Sequence, residues 1–590
     1  MQQVRCATAM IKALEAVGTE IAFNYNGHGN WALLDAIQYE SGIRGVAARG
    51  EDQAVHMADG YARAKKGRMP IVSTSVGPGN MNIAPALANA FFESTPMLIL
   101  AGGGSTHWLD RGGIEEFYRY GPDEWIQSVK TYTKKAVMIT RPDTAVDMML
   151  RAYKTAMTGR PGPVVLQVPF DIQHSQTMLP DLAQLRRLVE VTPPGPDPTG
   201  VREAAKLIAR AERPLIFVSG GVRHAAANRQ LAQLVEGFGL PVATTTMGKG
   251  AYPEHLPLSV GCVGRSGAGH ANRAAGECDL LIAIGTHFSD IDTGGWTVFN
   301  IPDKTKLIHI DIDPEEIARV YPTEVGLYSD ARLSLESLVE ELQRTGVKAE
   351  RYAGWVRDIA RWRGEWLQSV TKLRNEATMP MHYGYVCNQV GQVLTEKYAD
   401  SSVFVDTGHL LSFAPAFLEQ RTPNFHHCGF FHRMGWSLPA ALGAKFARPD
   451  QPAVVLMGDG SYVFSNSALA TSYEYDKPVI ALVMNNGSLQ IERELMLRKY
   501  GRAAYVDYKH EKSERMWGPD YCKIAEAMGA TATKLTRPGQ IGPALTRAIE
   551  SNTSQVIDID IDINSEGYRS VWYPYPDNFW TPRHELKKHF

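Results

Sequence analysis

Short apolar runs alternate with longer segments in which apolar residues recur at helical spacing. This alternation predicts parallel sheets flanked by helices, because a parallel strand is buried on both faces and needs a crossover helix to reach its neighbour. The fold class is therefore α/β. The strand-sized runs are PIVSTSV (70–76), PMLILAG (96–102), GPVVLQVP (162–169), PLIFVSG (214–220), DLLIAIG (279–285), KLIHIDID (306–313), SVFVDTG (402–408), AVVLMGDG (453–460), VIALVMNN (479–486) and VIDIDID (556–562).

Two stretches interrupt this rhythm and divide the chain. VTPPGPDPTG (191–200) contains four prolines and two glycines, and neither a helix nor a central strand can cross such a segment. Residues 333–374 are charged and have a helical pattern, which predicts a connector. We therefore expect three doubly wound domains and an irregular aromatic segment packed on the surface. Their predicted bounds are 1–185, 195–345, 375–565 and 566–590.

Composition and charge argue against several classes of protein. Apolar residues make up 44%, charged residues 21%, and the formal net charge is −2, so no nucleic-acid surface is predicted. The apolar runs are far shorter than the roughly 20 residues that span a bilayer, and the first 18 residues lack the features of a signal peptide. Six scattered cysteines predict reduced thiols. We expect a cytoplasmic protein with neither nucleic acid nor membrane as partner.

The stretch GDGSYVFSNSALATSYEYDKPVIALVMNN (458–486) brings an acid and an amide to the ends of two strands. Asp459 follows one strand and Asn486 the next, and parallel sheets bind ligands at their carboxyl edge. The glycines beside Asp459 free backbone amides for phosphate oxygens. Together with the backbone carbonyl of Ser488, these side chains would give Mg²⁺ three oxygens. GDG and NNG are each common turns. Here Asp459 and Asn486 are 27 positions apart and each follows an apolar strand, so together they predict a Mg²⁺ diphosphate site.

This motif resembles the thiamine diphosphate motif shared by acetolactate synthase, pyruvate oxidase, benzaldehyde lyase, oxalyl-CoA decarboxylase and 2-hydroxyacyl-CoA lyase. The resemblance covers nearly the whole chain. It implies a pyrimidine-binding first domain, a nucleotide-binding middle domain, a diphosphate-binding third domain, and thiamine diphosphate with Mg²⁺ as cofactors. It also implies a homodimer or homotetramer with the active site between subunits.

Such a cofactor needs a carboxylic acid against its aminopyrimidine ring, and the first domain supplies one. In AARGEDQAVHMADGYARAKKG (47–67), Glu51 follows a strand and opens an amphipathic helix, resembling the family's HE...A.GYAR..G pattern. A glutamate that shares a proton with the ring favours the imino form, whose exocyclic nitrogen removes the thiazolium proton. A first-turn glutamate also suits the helix dipole, so the role of Glu51 depends on the diphosphate motif.

Further segments of the third domain resemble the family piece by piece. HRMGWSLPAALGAKFA (432–447) is similar to the G-x-M-G-x-x-L-P-A-A-x-G segment, in which Met434 would fold the cofactor into a V. His432 replaces the usual glycine and would still offer its backbone carbonyl. VDTGHLLS resembles the strand end that contacts the diphosphate, although His409 can also be a solvated loop residue. The cofactor-binding residues implied here are Gly408, His409, His432, Met434, Gly458, Asp459, Gly460, Ser461 and Asn486.

The middle domain resembles the nucleotide-binding domain of the acetolactate synthase branch. The matching segments are PLIFVSGGVRHAAA and LIHIDIDPEEI. There Gly220, Gly221 and Arg223 would approach phosphates, and Asp311 or Asp313 a ribose hydroxyl. The nucleotide would be ADP or FAD, and some middle domains of this family are empty.

Two segments predict how the substrate is recognised. In FNYNGHGNW (23–31), His28 would hold a carbonyl or hydroxyl oxygen during C–C cleavage, unless it is simply solvated. In NNGSLQIERELMLRKYG, Glu492 falls in the first turn of a short helix. This helix resembles that of actinobacterial-type 2-hydroxyacyl-CoA lyases, in which a glutamate takes the proton of the substrate hydroxyl and returns it to the carbanion. Alternatively, Glu492 and Glu494 form a solvated helix face.

The same resemblance assigns the rest of the pocket and the reaction. Ile126 and Ile491 would limit the acyl group, and residues 566–590 would close over it as a lid. The preferred hypothesis is reversible cleavage of a short-chain 2-hydroxyacyl-CoA to formyl-CoA and a ketone or aldehyde, with Glu51, Glu492 and His28 as catalytic residues. The alternatives are acetolactate synthase-like decarboxylation and carboligation of a 2-oxo acid, or a catalytically silent nucleotide-binding homologue. The acyl group and the use of CoA stay open.

Overall fold

A computed structural model describes residues 2–116, 119 and 121–565. Within them the chain forms three six-stranded parallel sheets flanked by helices, which confirms the α/β class and the three doubly wound domains. The strands of the three sheets span 21–169, 214–328 and 402–560. The predicted lid, 566–590, lies outside the described residues.

The strands and helices follow in chain order. The strands are β1 (Gln3–Arg5), β2 (Ile21–Asn24), β3 (Arg44–Ala47), β4 (Ile71–Thr74), β5 (Met97–Gly103), β6 (Lys135–Met138), β7 (Pro163–Pro169), β8 (Gln176–Met178), β9 (Pro214–Val218), β10 (Val242–Thr244), β11 (Ser259–Cys262), β12 (Leu280–Ile284), β13 (Lys306–Asp311), β14 (Val325–Tyr328), β15 (Ser402–Val405), β16 (Phe425–His427), β17 (Ala453–Gly458), β18 (Ile480–Asn485), β19 (Thr531–Leu535) and β20 (Gln555–Asp560). The helices are α1 (Cys6–Ala16), α2 (Trp31–Tyr39), α3 (Glu51–Ala64), α4 (Pro78–Asn82), α5 (Ala84–Phe92), α6 (Glu124–Val129), α7 (Ala145–Met157), α8 (Phe170–His174), α9 (Arg186–Val189), α10 (Pro198–Arg210), α11 (Gly220–His224), α12 (Asn228–Phe238), α13 (Gly269–Glu277), α14 (Ala331–Thr345), α15 (Ala353–Ser369), α16 (Thr371–Asn375), α17 (Tyr383–Lys397), α18 (Ala414–Phe417), α19 (Ser437–Ala447), α20 (Asp459–Ser465), α21 (Ala468–Glu474), α22 (Gln490–Tyr500), α23 (Tyr521–Ala527) and α24 (Ile541–Glu550).

Each sheet reverses its strand order at one point, and this sets where ligands can enter. The orders are β3-β2-β4-β5-β7-β6, β11-β10-β9-β12-β13-β14 and β16-β15-β17-β18-β20-β19. The reversals fall between β2 and β4, between β9 and β12, and between β15 and β17. In open parallel sheets, the crevice outside the carboxyl ends at such a reversal is the usual ligand site.

Helices α3 and α19 join the first and third domains of the chain. At their crossing, a Cβ added to Gly60 would collide with the backbone of Ala440, and one added to Gly443 would collide with the backbone of Met57. The absence of side chains at these two positions lets the two backbones touch. The contact fixes the helix that begins at Glu51 against the third domain.

The cysteines and the helix lengths bear on two of the predictions from the sequence. All six cysteines lie in the described part of the chain, and all are free thiols. No helix among residues 2–116, 119 and 121–565 is both long and apolar enough to cross a membrane.

Candidate active site

The carboxyl edge of the third sheet brings the two halves of the GDG-to-NN motif together. Strands β17 and β18 are parallel neighbours, and Gly458 at the end of β17 pairs with Met484 of β18. The residues that follow these strands, Asp459 and Asn486, therefore lie side by side, as the sequence predicts.

The Asp459 carboxylate connects the two loops through backbone amides. It accepts hydrogen bonds from the amides of Gly460 (2.7 Å), Asn486 (3.2 Å) and Gly487 (2.7 Å). Burial nevertheless raises the pKa of Asp459 to about 6, because desolvation disfavours the charged form. A cation bound to this carboxylate would stabilise its charged form and lower its pKa again.

Asn486 is held with its amide oxygen on the side of the Ser488 loop. Its Nδ2 donates to the hydroxyl of Tyr383 (2.9 Å) and to Oε1 of Gln490 (2.5 Å), while its Oδ1 accepts from the amide of Ser488 (2.9 Å). No group of three or more His, Cys, Asp or Glu side chains positioned for a metal occurs in the described residues. The available oxygens, one carboxylate, one amide and a backbone carbonyl, fit Mg²⁺ completed by a diphosphate and water.

The loop after β15 provides open backbone beside this edge. Gly408 has φ +108°, and a Cβ there would meet no atom within 4 Å, so the backbone can approach a bulky anion. His409 is not a solvated loop residue: it is buried, its Nε2 bonds to the carbonyl of Ser565 (2.9 Å) and its Nδ1 lies 3.5 Å from Glu494. Burial lowers the pKa of His409 to about 4, which keeps the imidazole neutral.

Asp406 connects three loops of the site and was not predicted as a site residue. Its carboxylate accepts from the amides of Thr407 (3.0 Å), Gly435 (3.1 Å) and Ser437 (2.9 Å), and from the hydroxyls of Ser437 (2.6 Å) and Ser461 (2.8 Å). The predicted cofactor residue Ser461 thus faces Asp406. An aspartate directly after a buried strand was the available signal.

The segment that follows β16 carries His432 and Met434. His432 has φ +54°, a left-handed conformation that favours glycine, which accounts for the glycine usual at this position in the resemblance. Its Nδ1 lies 3.0 Å from the hydroxyl of Thr407. Met434 reaches the GDG turn, where its Cε would lie 3.2 Å from a Cβ on Gly460.

A cavity of about 510 Å³ opens beside these loops. Four predicted residues line it: Gly408, His432, Ile491 and Glu492. Among the described residues of this lining, the charged side chains are two carboxylates, Glu492 and Asp290, and there is no lysine or arginine. Asp290 forms an ion pair with Arg265 (3.0 Å). The full lining is Thr246, Ser266, Asp290, Ile291, Thr407, Gly408, Leu411, Ser412, His427, His432, Ile491, Glu492, Leu495, Met496 and Tyr500.

In the first domain, Glu51 is the first residue of α3, as predicted, and it is buried. Its Oε2 accepts from Nδ2 of Asn82 (3.1 Å). Its Oε1 lies against Gly79, where a Cβ would come within 2.6 Å of it. The carboxylate is therefore enclosed by helix α4, which follows β4.

His28 lies at the strand reversal of the first sheet. Its ring is almost parallel to the rings of Phe170 (centroids 5.8 Å apart) and Trp108 (6.3 Å), and it meets Trp31 edge to face (5.4 Å). Its buried Nε2 has no hydrogen-bond partner among the described residues, which suits a donor or acceptor to a ligand. Ile126, by contrast, packs in the hydrophobic core with 4% exposure and is not part of the 510 Å³ cavity lining.

A second cavity, of about 250 Å³, lies at the strand reversal of the middle sheet. The predicted residues Gly220, Gly221 and Asp311 line it. A Cβ on Gly221 would lie 2.5 Å from Cα of Gly285, so the two loops touch through their backbones. Burial raises the pKa of Asp311 to about 7.

Arg223 corrects the prediction for the middle domain. Its guanidinium donates to the carbonyls of Phe425 (2.6 Å) and Met247 (3.1 Å) and lies 2.8 Å from Nδ1 of His426. It therefore faces edge strand β16 of the third domain and is not among the residues of the middle-domain cavity. β16 is the edge strand of its sheet, and Arg223 there donates to the carbonyl of Phe425, which has no strand partner on that side in the described part of the chain.

Comparisons with known proteins match this geometry. Three family profiles match the chain: "Thiamine pyrophosphate enzyme, N-terminal TPP binding domain" over residues 4–121, "central domain" over 201–338 and "C-terminal TPP binding domain" over 406–559. The chain belongs to the thiamine pyrophosphate enzyme family. The middle match includes the glycine loops of the 250 Å³ cavity, and the C-terminal match begins at Asp406.

Relatives of this thiamine pyrophosphate enzyme align along nearly their whole length. A probable acetolactate synthase large subunit of Methanocaldococcus jannaschii is 33% identical over 573 residues, 94% of this chain and 92% of the relative. One of Methanococcus aeolicus is 32% identical over 574 residues, covering 95% and 92%. The acetolactate synthase isozyme 3 large subunit of Escherichia coli K12 is 28% identical over 582 residues, covering 96% of both chains. These names favour the alternative reaction over an acyl-CoA substrate, which gains no support from them.

Proposed function

We propose that this thiamine pyrophosphate enzyme cleaves the C–C bond of a short 2-hydroxyacyl-CoA, giving formyl-CoA and a ketone or aldehyde. The observation that supports it is the charge of the 510 Å³ cavity, whose described lining holds two carboxylates, Glu492 and Asp290, and no lysine or arginine. Arg265 lies outside this lining and is paired with Asp290 (3.0 Å). A 2-oxo acid brings a carboxylate next to the reacting carbon, and Glu492 would repel it. A 2-hydroxyacyl thioester is uncharged at that end and needs a base for its hydroxyl.

The residues of this chain would have separate roles in that reaction. Bound thiamine diphosphate would supply an electron sink at the reacting carbon. Asp459, Asn486 and the Ser488 carbonyl would hold Mg²⁺, and Glu51 would hold a proton at the pyrimidine ring. Glu492 would take the hydroxyl proton and return it to carbon.

His28 would complete the site from the first domain. Its unpartnered, buried Nε2 would donate to the substrate oxygen, where charge develops during cleavage. From the family resemblance, we propose that the site forms between two copies of the chain, each giving one domain.

The second candidate is acetolactate synthase-like decarboxylation and carboligation of a 2-oxo acid. Its support is the relatives, which are named for that reaction and align with 94–96% of this chain. For this candidate, the cation that binds the 2-oxo acid carboxylate would have to come from outside the described cavity lining.

One experiment separates the two candidates. The purified protein is supplied with thiamine diphosphate and Mg²⁺ and given 2-hydroxyisobutyryl-CoA or pyruvate, with formyl-CoA and acetolactate measured by chromatography. We expect formyl-CoA from the thioester. Acetolactate from pyruvate without thioester cleavage would establish the second candidate instead.

The role of Glu492 has its own test. Glu492→Gln should lower thioester cleavage by about 100-fold, as loss of a general base does, without releasing the cofactor. Glu511→Gln, an exposed glutamate in the loop after α22, is the matched control. Unchanged cleavage in Glu492→Gln would refute the proposed base.

We also propose a nucleotide diphosphate, ADP or FAD, in the 250 Å³ middle-domain cavity. The support is the pair of glycine loops at a strand reversal, a common arrangement for such ligands. Mass spectrometry of the denatured protein would identify the nucleotide. ADP would favour the lyase and FAD the synthase.

A further inference from the structure

Gln490 lies between the proposed metal ligand Asn486 and the backbone that follows β20. It is the first residue of α22 and is 5% exposed. Its Nε2 donates to three carbonyl oxygens, those of Ile563 (3.0 Å), Ser565 (3.2 Å) and Asp562 (3.4 Å). Its Oε1 accepts from Nδ2 of Asn486 (2.5 Å).

This arrangement determines which way both amides point. Carbonyl oxygens accept hydrogen bonds and cannot donate them. Three carbonyls on one side of Gln490 therefore require its NH₂ group there and leave its oxygen facing Asn486. That oxygen in turn requires the NH₂ group of Asn486, so Oδ1 of Asn486 points away, toward the amide of Ser488 (2.9 Å).

We propose that Gln490 is a positioning residue for the metal. It turns the oxygen of Asn486 toward the cation beside Asp459 and keeps the NH₂ group, which has no lone pair for a metal, away from it. This inference rests on the proposed Mg²⁺ site and deepens it, because it identifies a side chain that selects the orientation of one ligand together with the donating amide of Ser488.

Two neighbours mark the limits of this role. Tyr383 also contacts Nδ2 of Asn486 (2.9 Å), but a hydroxyl both donates and accepts, so it cannot select an orientation. His409 bonds through Nε2 to the Ser565 carbonyl (2.9 Å), which holds one of the three carbonyls in place. The orientation of the metal ligand therefore depends on residues 562–565. Through His409, it also depends on the loop after β15.

The test measures metal affinity and not turnover. Mn²⁺ replaces Mg²⁺, the full chain is saturated with thiamine diphosphate, and free Mn²⁺ is counted by electron paramagnetic resonance. Gln490→Leu should weaken Mn²⁺ binding by about 10- to 100-fold, the usual loss for a residue that orients a metal ligand. Tyr383→Phe should weaken it less. Gln490→Glu, which puts oxygen against the three carbonyls, should act like Gln490→Leu and serves if the leucine variant does not fold.

A second background separates orientation from general damage. In Asn486→Asp, both side-chain termini are oxygens, so no orientation remains to be selected. There, Gln490→Leu should change Mn²⁺ affinity by no more than about twofold, the scatter expected of independent sites. An equal loss in both backgrounds, or no loss in the native one, would overturn the role of Gln490.

Asp459→Ala distinguishes this failure from failure of the proposed metal site. If Asp459→Ala loses Mn²⁺ while Gln490→Leu does not, only the positioning role is wrong. If Asp459→Ala binds Mn²⁺ as the native chain does, the metal site itself is wrong, and the role of Gln490 is refuted with it.

Discussion

The sheets of the middle and third domains share an architecture but organise their ligand edges differently. At the third-domain edge, two buried aspartates, Asp406 and Asp459, together accept hydrogen bonds from the loops that follow β15, β16, β17 and β18. At the middle-domain edge, Gly221 and Gly285 touch through their backbones. One edge therefore depends on charge and the other on shape. Variants that remove charge should damage the first, and variants that add volume the second.

The largest effect is expected from Asp459→Ala. It removes a proposed metal ligand and the acceptor of three backbone amides. Thiamine diphosphate with Mg²⁺ should therefore bind at least about 100-fold more weakly, which exceeds the usual loss for an indirect contact. Isothermal titration calorimetry of the metal-free chain measures this, with exposed Asp450→Ala as control. Retained affinity would show that this edge does not depend on charge.

A smaller effect is expected from Asp406→Asn. The amide keeps the shape, but its NH₂ group must face a backbone N–H whichever way it turns, because both oxygens of Asp406 accept from one. One unsatisfied donor costs about 1–3 kcal/mol, which corresponds to about 5- to 150-fold in cofactor affinity. The same titration measures it. If affinity is unchanged, the loops are held without Asp406.

The middle-domain counterpart is Gly221→Val. Overpacking against Gly285 should cost about 1–3 kcal/mol of stability, seen as a lower thermal midpoint with metal affinity unchanged. Gly220→Ala is the matched control, since its Cβ would meet its nearest side chains at 3.9 Å. Equal midpoints for the two variants would contradict the close approach.

A pH-dependent effect is expected at Asp311. Burial raises its pKa in the folded chain to about 7, above about 3.9 in an unfolded chain. The stability from its bound proton is therefore full below about pH 4 and is lost as pH rises through about 7. Asp311→Asn should melt with the native chain at about pH 4 and above it at pH 8. For the control Asp450→Asn, the difference in thermal midpoint from the native chain should not change with pH. A difference that is also constant for Asp311→Asn would contradict the raised pKa.

The sequence predicts the long central strands and the motifs that follow them. Runs such as PVVLQVP are buried on both faces and therefore apolar throughout, and Asp459 and Asn486 directly follow two such runs. Glu51, by contrast, opens the helix after the short edge strand β3. Short strands such as β6 and β19 escaped prediction because they have four and five residues and are partly exposed at sheet edges. Periodicity is weak over so few positions.

Long-range partners could not be read from the pattern. Arg223 follows a glycine turn and suggests a phosphate ligand, yet two of its three partners belong to β16, some 200 residues away. Asp406 has the same difficulty, since its acceptor role depends on loops that only the fold brings together. Ile126 is predicted to line the substrate pocket but lies in the hydrophobic core. A buried apolar residue looks the same in the sequence whether it lines a pocket or fills a core.

The crossing of α3 and α19 has a mechanical consequence. Backbones in direct contact leave no layer of side chains that could slide or change rotamer, so the first and third domains of one chain must move as a single stiff frame. A substrate must then enter and leave through segments that open at a lower free energy. Helix α22 is such a segment, because Gln490 is its one buried residue and elements with few buried contacts open at the lowest free energy.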